Sequence, residues 1–311
     1  MDPVTHALTG AVLAQAGFRQ RYGYQATLAV TAGALVPDID VLWSPAQSVV
    51  ALETHRGITH SLVGVVGLAL ALGFVVRFLG SEKRWWLLSA LSLTGIVGGH
   101  LFLDLITSYG IQLFLPFSRA RPALDLVFII DPFLTVPLLV ALVSGLVWRR
   151  SAALIGSAGL GVVVLYLAIM WVNQTVAVTR LEQSLRSQGM APRRVEALPW
   201  PLNPLRWQGF AEDGDRYWSA DIRLWNGGVA LTSVPRGPEN GYVARARDHE
   251  AVRTFLWFAR FPVVKSWEDG GRAVVEYRDL RFLHSVRRHP AFVLRVILSP
   301  SGEVERVLFN P

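Results

Sequence analysis

Four of the seven histidines and four aspartates stand at the ends of long apolar runs, where ionisable side chains are costly to place. His6 lies four residues after Asp2. Asp38 and Asp40 form Pro-Asp-Ile-Asp directly behind an apolar segment. His55 and His60 close the two ends of His-Arg-Gly-Ile-Thr-His. His100 and Asp104 are four apart in Gly-His-Leu-Phe-Leu-Asp, and Asp131 opens a further run. On a helix, the spacing of His100 and Asp104 brings both side chains to one face. That is the arrangement by which a single helix gives a metal two ligands. Asp38 and Asp40, if extended, also point the same way, because side chains repeat every two residues in a strand.

The candidate ligands are therefore His6, Asp38, Asp40, His55, His60, His100 and Asp104. Imidazole and carboxylate without thiolate suit Zn first and Mn or Fe(II) next, and the number of donors leaves room for two ions. Asp38 or Asp104 is the candidate proton acceptor. Arg56, with Arg119 or Arg121, is a candidate for holding an anionic group. Each residue also has a plainer role open to it. His6 can cap a helix, Asp38 and Asp40 can end one, and His55 or His60 can merely orient a neighbour. His100 and Asp104 can form a buried pair, and Asp131 can be an N-cap beside Pro132. His249, His284 and His289 lack partner spacing and stay outside the candidate set.

The elements that must position these groups are apolar. Of 311 residues, 52% are hydrophobic and 17% charged, and the mean hydropathy is +0.37, which excludes disorder. Without a single cysteine, disulfides, thiolate metal sites and cysteine nucleophiles are excluded. Residues 61–76, 85–103, 132–148 and 151–179 carry no Lys, Arg, Asp or Glu. About 20 helical residues cross a bilayer, so the second and fourth runs suffice alone and the others with flanking residues. Residues 3–18 and 24–36 are shorter, crossing singly or dipping as a pair. No basic segment precedes the first run, and Asp2-Pro3 reads as a helix start.

Arg19 and Arg21, then Arg77, Lys83 and Arg84, then Arg149 and Arg150 fall in alternate loops, which the positive-inside rule assigns to the cytoplasm. The polar cluster and everything after residue 179 then fall on the other side. From residue 176 the composition changes to 20 basic and 15 acidic residues, giving +5 of the net +7. Residues 217–225, 272–277, 292–298 and 303–309 alternate like strands. Residues 181–188 and 249–260 read as helices, and Pro/Gly clusters at 199–204 and 235–241 punctuate them. The expected architecture is a mainly α integral-membrane bundle of four to six apolar helices over residues 1–175. A small α+β extramembrane domain over 176–311 follows it.

Met1-Asp-Pro-Val-Thr-His6, Leu35-Val-Pro-Asp-Ile-Asp40, His55-Arg-Gly-Ile-Thr-His-Ser61 and Gly99-His-Leu-Phe-Leu-Asp-Leu-Ile-Thr107 occur in that order. Together they resemble the YdjM-like inner-membrane, metal-dependent hydrolases associated with LexA regulation. The proline-rich stretch at 198–207 is similar to that family's tail. The resemblance implies a multi-pass protein of the bacterial inner membrane that hydrolyses its substrate with a bound metal. Its matching polar positions are the seven named above. A looser likeness, confined to the motifs, links the His-x-x-x-Asp helix to zinc-dependent phospholipases C. A site at bilayer depth favours a phosphoester or ester of a lipid or lipid-linked substrate, with the lipid bilayer itself as partner. The competing reading is a structural metal with a partner-binding outer domain. A proton or ion relay is disfavoured by the absence of an inverted repeat. Nucleic acid is not expected, because the basic segment falls outside the cytoplasm.

Overall fold

A computed structural model describes residues 1–44, 48–282 and 291–310. His284 and His289 lie outside the described residues. Internal contacts divide the chain into two units, Met1–Asp40 with Arg56–Thr175 and Leu198–Leu205, and Val41–His55 with Val176–Ala197 and Arg206–Pro311.

The first unit is helical. Leu62–Leu79, Trp85–Leu105 and Arg149–Ser187 are long and apolar enough to cross a membrane. The bent pair Tyr24–Gly33 and Val36–Leu42, turning by 48°, makes a fourth. Pro132–Val147 is apolar but shorter, so the described residues hold the expected bundle of apolar helices, three to four of which are candidate spans by length. The Leu62–Val76 helix exposes Leu62, Val66, Leu70 and Phe74 while burying Val65, Ala69, Gly73 and Val76. An outward face of that kind suits lipid rather than water. At 39 residues, Arg149–Ser187 is about 58 Å long, nearly twice the hydrocarbon thickness. The helix expected at 181–188 is simply its last two turns.

Small residues draw these helices together, as is usual where lipid removes the hydrophobic drive for helix association. A Cβ on Gly95 would lie 2.0 Å from the Val30 carbonyl oxygen, and one on Gly33 would lie 2.3 Å from that of Ser92. The Tyr24–Gly33 and Trp85–Ile96 helices therefore touch backbone to backbone. Gly10 and Gly99 both close on Ala34, at 2.7 Å from its Cβ by the same construction. Around them Ala14, Ala26, Ala29, Val30, Leu88 and Leu91 form a buried cluster.

The second unit carries two four-stranded antiparallel meanders, β1-β2-β3-β4 and β5-β6-β7-β8. The first comprises Arg194–Trp200, Asn203–Asp213, Arg216–Arg223 and Gly228–Pro235; the second Pro262–Asp269, Arg272–Asp279, Val293–Leu298 and Val304–Phe309. Helices Gly241–Arg247 and Glu250–Phe258 link them, the latter capped by His249, whose Nδ1 accepts from the Ala251 N–H. That bond gives His249 a structural role.

Candidate metal centre

Four short pieces of the first unit bring the polar side chains together. The first helix, Pro3–Leu13, starts as its sequence implies, with Asp2 as N-cap accepting from Thr5 N–H at 3.0 Å and Pro3 behind it. Its second turn carries His6. The 3₁₀ helix Val36–Leu42 carries Asp38 and Asp40. A second 3₁₀ turn, Ile58–His60, ends at Ser61, whose Oγ caps the Leu62–Val76 helix. His100 lies in a π-helical turn, Val97–Leu101, and Asp104 one turn later. Such widened turns recur at functional sites. His60 stands just before one span, and Asp104 stands at the end of the span that returns beside it. Both therefore lie at the end of this helix pair opposite the loop Gly80–Arg84.

One ligand atom each from Asp38, His60, His100 and Asp104 lies within 4.8 Å of the others. The His60 and His100 Nε2 atoms are 3.0 Å apart. Asp104 Oδ2 is 3.3 Å from His60 Nε2 and 3.5 Å from His100 Nε2. Asp38 Oδ1 is 3.6 Å and 3.5 Å from the same two nitrogens. Donors about 2.05 Å from a common ion at tetrahedral angles lie about 3.3 Å from one another. Five of the six edges of this quartet bracket that spacing.

Hydrogen bonding fixes where the lone pairs point. The Ala34 carbonyl, left without a helical donor at the end of its helix, accepts from His100 Nδ1 at 2.8 Å. The Gly99 carbonyl accepts from His6 Nδ1 at 2.9 Å. A carbonyl cannot donate, so both rings carry a hydrogen on Nδ1 and point Nε2 inward, the nitrogen that would ligate an ion. His60 reaches the same state by another route. Thr59 gives its hydroxyl hydrogen to Asp40 Oδ2 at 3.0 Å, so its oxygen accepts from His60 Nδ1, also at 3.0 Å. The two Nε2 atoms then face each other and a carboxylate oxygen in a buried space, and a contact this short needs a proton or a cation between the nitrogens. His6, His60, His100 and Asp104 are fully buried, and His6 Nε2 and Asp104 Oδ2 have no hydrogen-bond partner. The donor set, its spacing and these orphaned atoms fit a metal ion, and carbonyl-oriented histidines are the usual support of one.

The other candidates take distinct places. His6 stacks on His100 with centroids 4.0 Å apart, and its Nε2 faces Asp104 Oδ1 at 3.4 Å, on the flank of the quartet. Asp40 stands behind His60, with Oδ2 accepting the Arg56 backbone N–H at 2.9 Å. The extended geometry expected for Asp38 and Asp40 is replaced by a 3₁₀ helix, which turns about 120° per residue. Asp38 therefore faces the quartet and Asp40 stands behind His60, although ligand atoms of the two carboxylates still lie within 4.8 Å of each other. His55 follows the short helix Val50–Thr54 in the second unit. Arg56 is buried against Asp104, whereas Arg119 lies on an exposed loop. Asp131 caps Pro132–Val147 through the Phe133 N–H and accepts from Tyr166 Oη at 2.7 Å, the plainer of its two expected roles. Sequence reasoning missed Thr59, Thr107 and the two carbonyls. Thr59 adjoins His60 and Thr107 follows Asp104 by three, but carbonyls leave no residue signature.

Residues 1–177, more than half of the chain, match the family described as YdjM inner membrane protein. The chain belongs to that family. Among curated proteins, the "Uncharacterized protein YfhP" of Bacillus subtilis (strain 168) is 27% identical to this chain over 177 residues. The match takes in 55% of this chain and 52% of that one, so it spans about half the relative's length. No solved structure matches the chain. The YdjM match covers every residue of the quartet and ends where the long helix leaves the first unit.

Proposed function

We propose that the protein is a membrane-bound, metal-dependent hydrolase acting on a phosphoester or ester of a lipid or lipid-linked substrate. The observation that carries this reading is the pair of histidine Nε2 atoms, 3.0 Å apart, converging with Asp38 and Asp104. Zinc is the preferred ion, with Mn or Fe(II) next, and the quartet holds one. A divalent ion there would bring the pKa of a bound water toward about 7 and polarise the scissile group. His60, His100 and Asp104 are rigid, closed off from solvent, and serve to hold the ion. Asp38 is the one member with measurable exposure, 23% of its side chain, so its second oxygen accepts the proton of the attacking water. Four protein donors already fill a tetrahedral shell, so water and substrate would enter as a fifth ligand on the Asp38 side, where the quartet is open to solvent.

The lipid character of the substrate is supported by what surrounds this opening. Leu35 and Ile39 beside Asp38, Ile58 and Leu62 beside His60, and Phe114 are all exposed. Leu62 N–H donates to the Leu113 carbonyl, which puts Phe114 next to the start of that span. A rim of this kind favours acyl chains over a soluble ester. The distribution of Arg and Lys in the loops supports a non-cytoplasmic site, with the chain after residue 179 on the same side.

Purified protein in nanodiscs should contain a stoichiometric transition metal by elemental analysis. It should also cleave a member of a panel of phosphodiester and carboxylester lipids. Protein that is metal-free after purification and binds no added Zn²⁺ or Mn²⁺ refutes the assignment.

A further inference from the structure

Arg56 is an arginine in an unusual place. Its backbone φ is +60°, a left-handed conformation that glycine adopts freely and a long side chain does not. It is nevertheless an arginine, with only 3% of its surface exposed. Nη2 meets Asp104 Oδ1 at 2.8 Å, Nη1 donates to Thr107 Oγ1 at 3.1 Å, and the guanidinium lies over the Tyr109 ring at 4.9 Å. Its backbone N–H holds Asp40 and its carbonyl accepts from Gln112 N–H at 3.0 Å. A residue this constrained joins the loop bearing His60 to the helix bearing Asp104.

The two oxygens of Asp104 are used differently. Oδ1 is surrounded by Arg56, the α-amino group of Met1 and His6 Nε2. Oδ2, by contrast, is buried, has no hydrogen-bond partner and faces His60 and His100. An arginine fork is suited to hold a carboxylate in one fixed orientation.

Building on the metal-dependent reading above, we propose that Arg56 is the positioning residue of the centre. By occupying Oδ1 it makes Asp104 a one-oxygen ligand through Oδ2 and keeps the carboxylate from chelating the ion with both oxygens. The coordination position that chelation would take stays open for substrate. Arg56 itself touches neither ion nor substrate in this role and acts only by orienting Asp104.

Cobalt(II) reports both affinity and coordination number, because four- and five-coordinate sites absorb more strongly in the visible than six-coordinate ones. Wild-type protein in nanodiscs, stripped of metal and titrated with Co²⁺, should give an intense visible band. Arg56→Gln should bind Co²⁺ about 10- to 100-fold more weakly, the usual effect of losing a group that orients a ligand, and with a fainter band. Arg56→Lys, which keeps the charge but not the fork, should fall between the two. A wild-type affinity and band in Arg56→Gln overturns the proposal while leaving the metal centre standing. If Arg56→Gln is not recovered from membranes, Arg56→Lys decides, and an unchanged affinity and band there overturns it equally. Wild-type protein that takes up no Co²⁺ removes the metal-dependent reading itself, and this inference with it.

Discussion

Replacing Gly95 by alanine tests whether helix contact, remote from the polar atoms, sets the metal centre. The new Cβ would stand 2.0 Å from the Val30 carbonyl oxygen and 2.8 Å from its carbon. Both atoms are backbone, so no rotamer change relieves the clash. Real Cβ contacts start near 3.0 Å, so the Tyr24–Gly33 and Trp85–Ile96 helices must part locally by about 1.0 Å. Ala34 is four residues beyond Val30, on the same side of its helix and one turn nearer the site. If the parting carries through, the 2.8 Å bond from His100 Nδ1 to the Ala34 carbonyl stretches to about 3.8 Å, where it no longer exists. Freed of that bond, His100 loses both its fixed ring plane and its fixed tautomer. We expect Zn²⁺ affinity to fall about 10- to 100-fold, with a loss of about 1–3 kcal/mol in stability from overpacking. The assay is competition for Zn²⁺ against a chromogenic chelator in nanodiscs. Gly67→Ala is the control, since a Cβ there meets nothing within 4 Å. Wild-type affinity in a folded Gly95→Ala protein would falsify the claim that the Ala34 carbonyl orients His100.

Other perturbations separate the centre from its scaffold. His100→Ala or Asp104→Ala should abolish stoichiometric metal by elemental analysis while the protein still fractionates with membranes; retained metal counts against the quartet. Tyr166→Phe removes the hydroxyl that Asp131 accepts and should cost about 1 kcal/mol in thermal stability with metal content unchanged. In the second unit, Asp279→Ala strands the buried Arg281 guanidinium, which it meets at 2.7 Å, and should cost about 3–5 kcal/mol in denaturant unfolding. Burial alone would raise the Asp221 carboxyl, but the Arg206 and Arg223 guanidiniums hold it below the usual carboxylate range. The unfolded chain therefore takes up that proton first. The resulting stability is present above the ordinary carboxyl pKa and is lost as pH falls through the folded one. Asp221→Asn should flatten the acid limb of the stability profile, and an unchanged limb refutes the assignment.

The strands that sequence reading located are mostly those with neighbours on both sides, and the ones it missed show why. β3, β6 and β7 are interior to their meanders and alternate visibly. β1, β4 and β5 are edge strands, and each carries a proline, Pro199, Pro235 and Pro262. An edge strand tolerates a missing N–H, so residues that look like punctuation can be part of the sheet. β2 hides for a different reason. Its middle residues, Trp207 to Ala211, set Gln208 and Gly209 together between apolar neighbours, so the sequence carries no period of two there although all five are buried.

In the centre, residue types were legible and roles were not. Lone ionisable groups at the ends of apolar runs stand out because burial makes them expensive, and that contrast selects His6, Asp38, Asp40, His55, His60, His100, Asp104 and Asp131. Which of them share an ion depends on something that spacing does not encode. Asp38 and Asp40 are equivalent as letters, yet a 3₁₀ helix sends one to the quartet and the other behind His60. His6 and His100 are likewise equivalent, each with Nδ1 on a backbone carbonyl, yet one faces Oδ2 of Asp104 and the other faces Oδ1. The division follows the cations gathered on Oδ1, the Arg56 guanidinium and the Met1 α-amino group, which leave Oδ2 without a hydrogen-bond partner among the described residues. Charge placed on one side of a carboxylate thus breaks the symmetry of an otherwise uniform set of donors. The sequence motif containing Arg56 reads as two histidines around a glycine turn, and the spacing of those histidines says nothing of the arginine between them that meets Asp104 Oδ1.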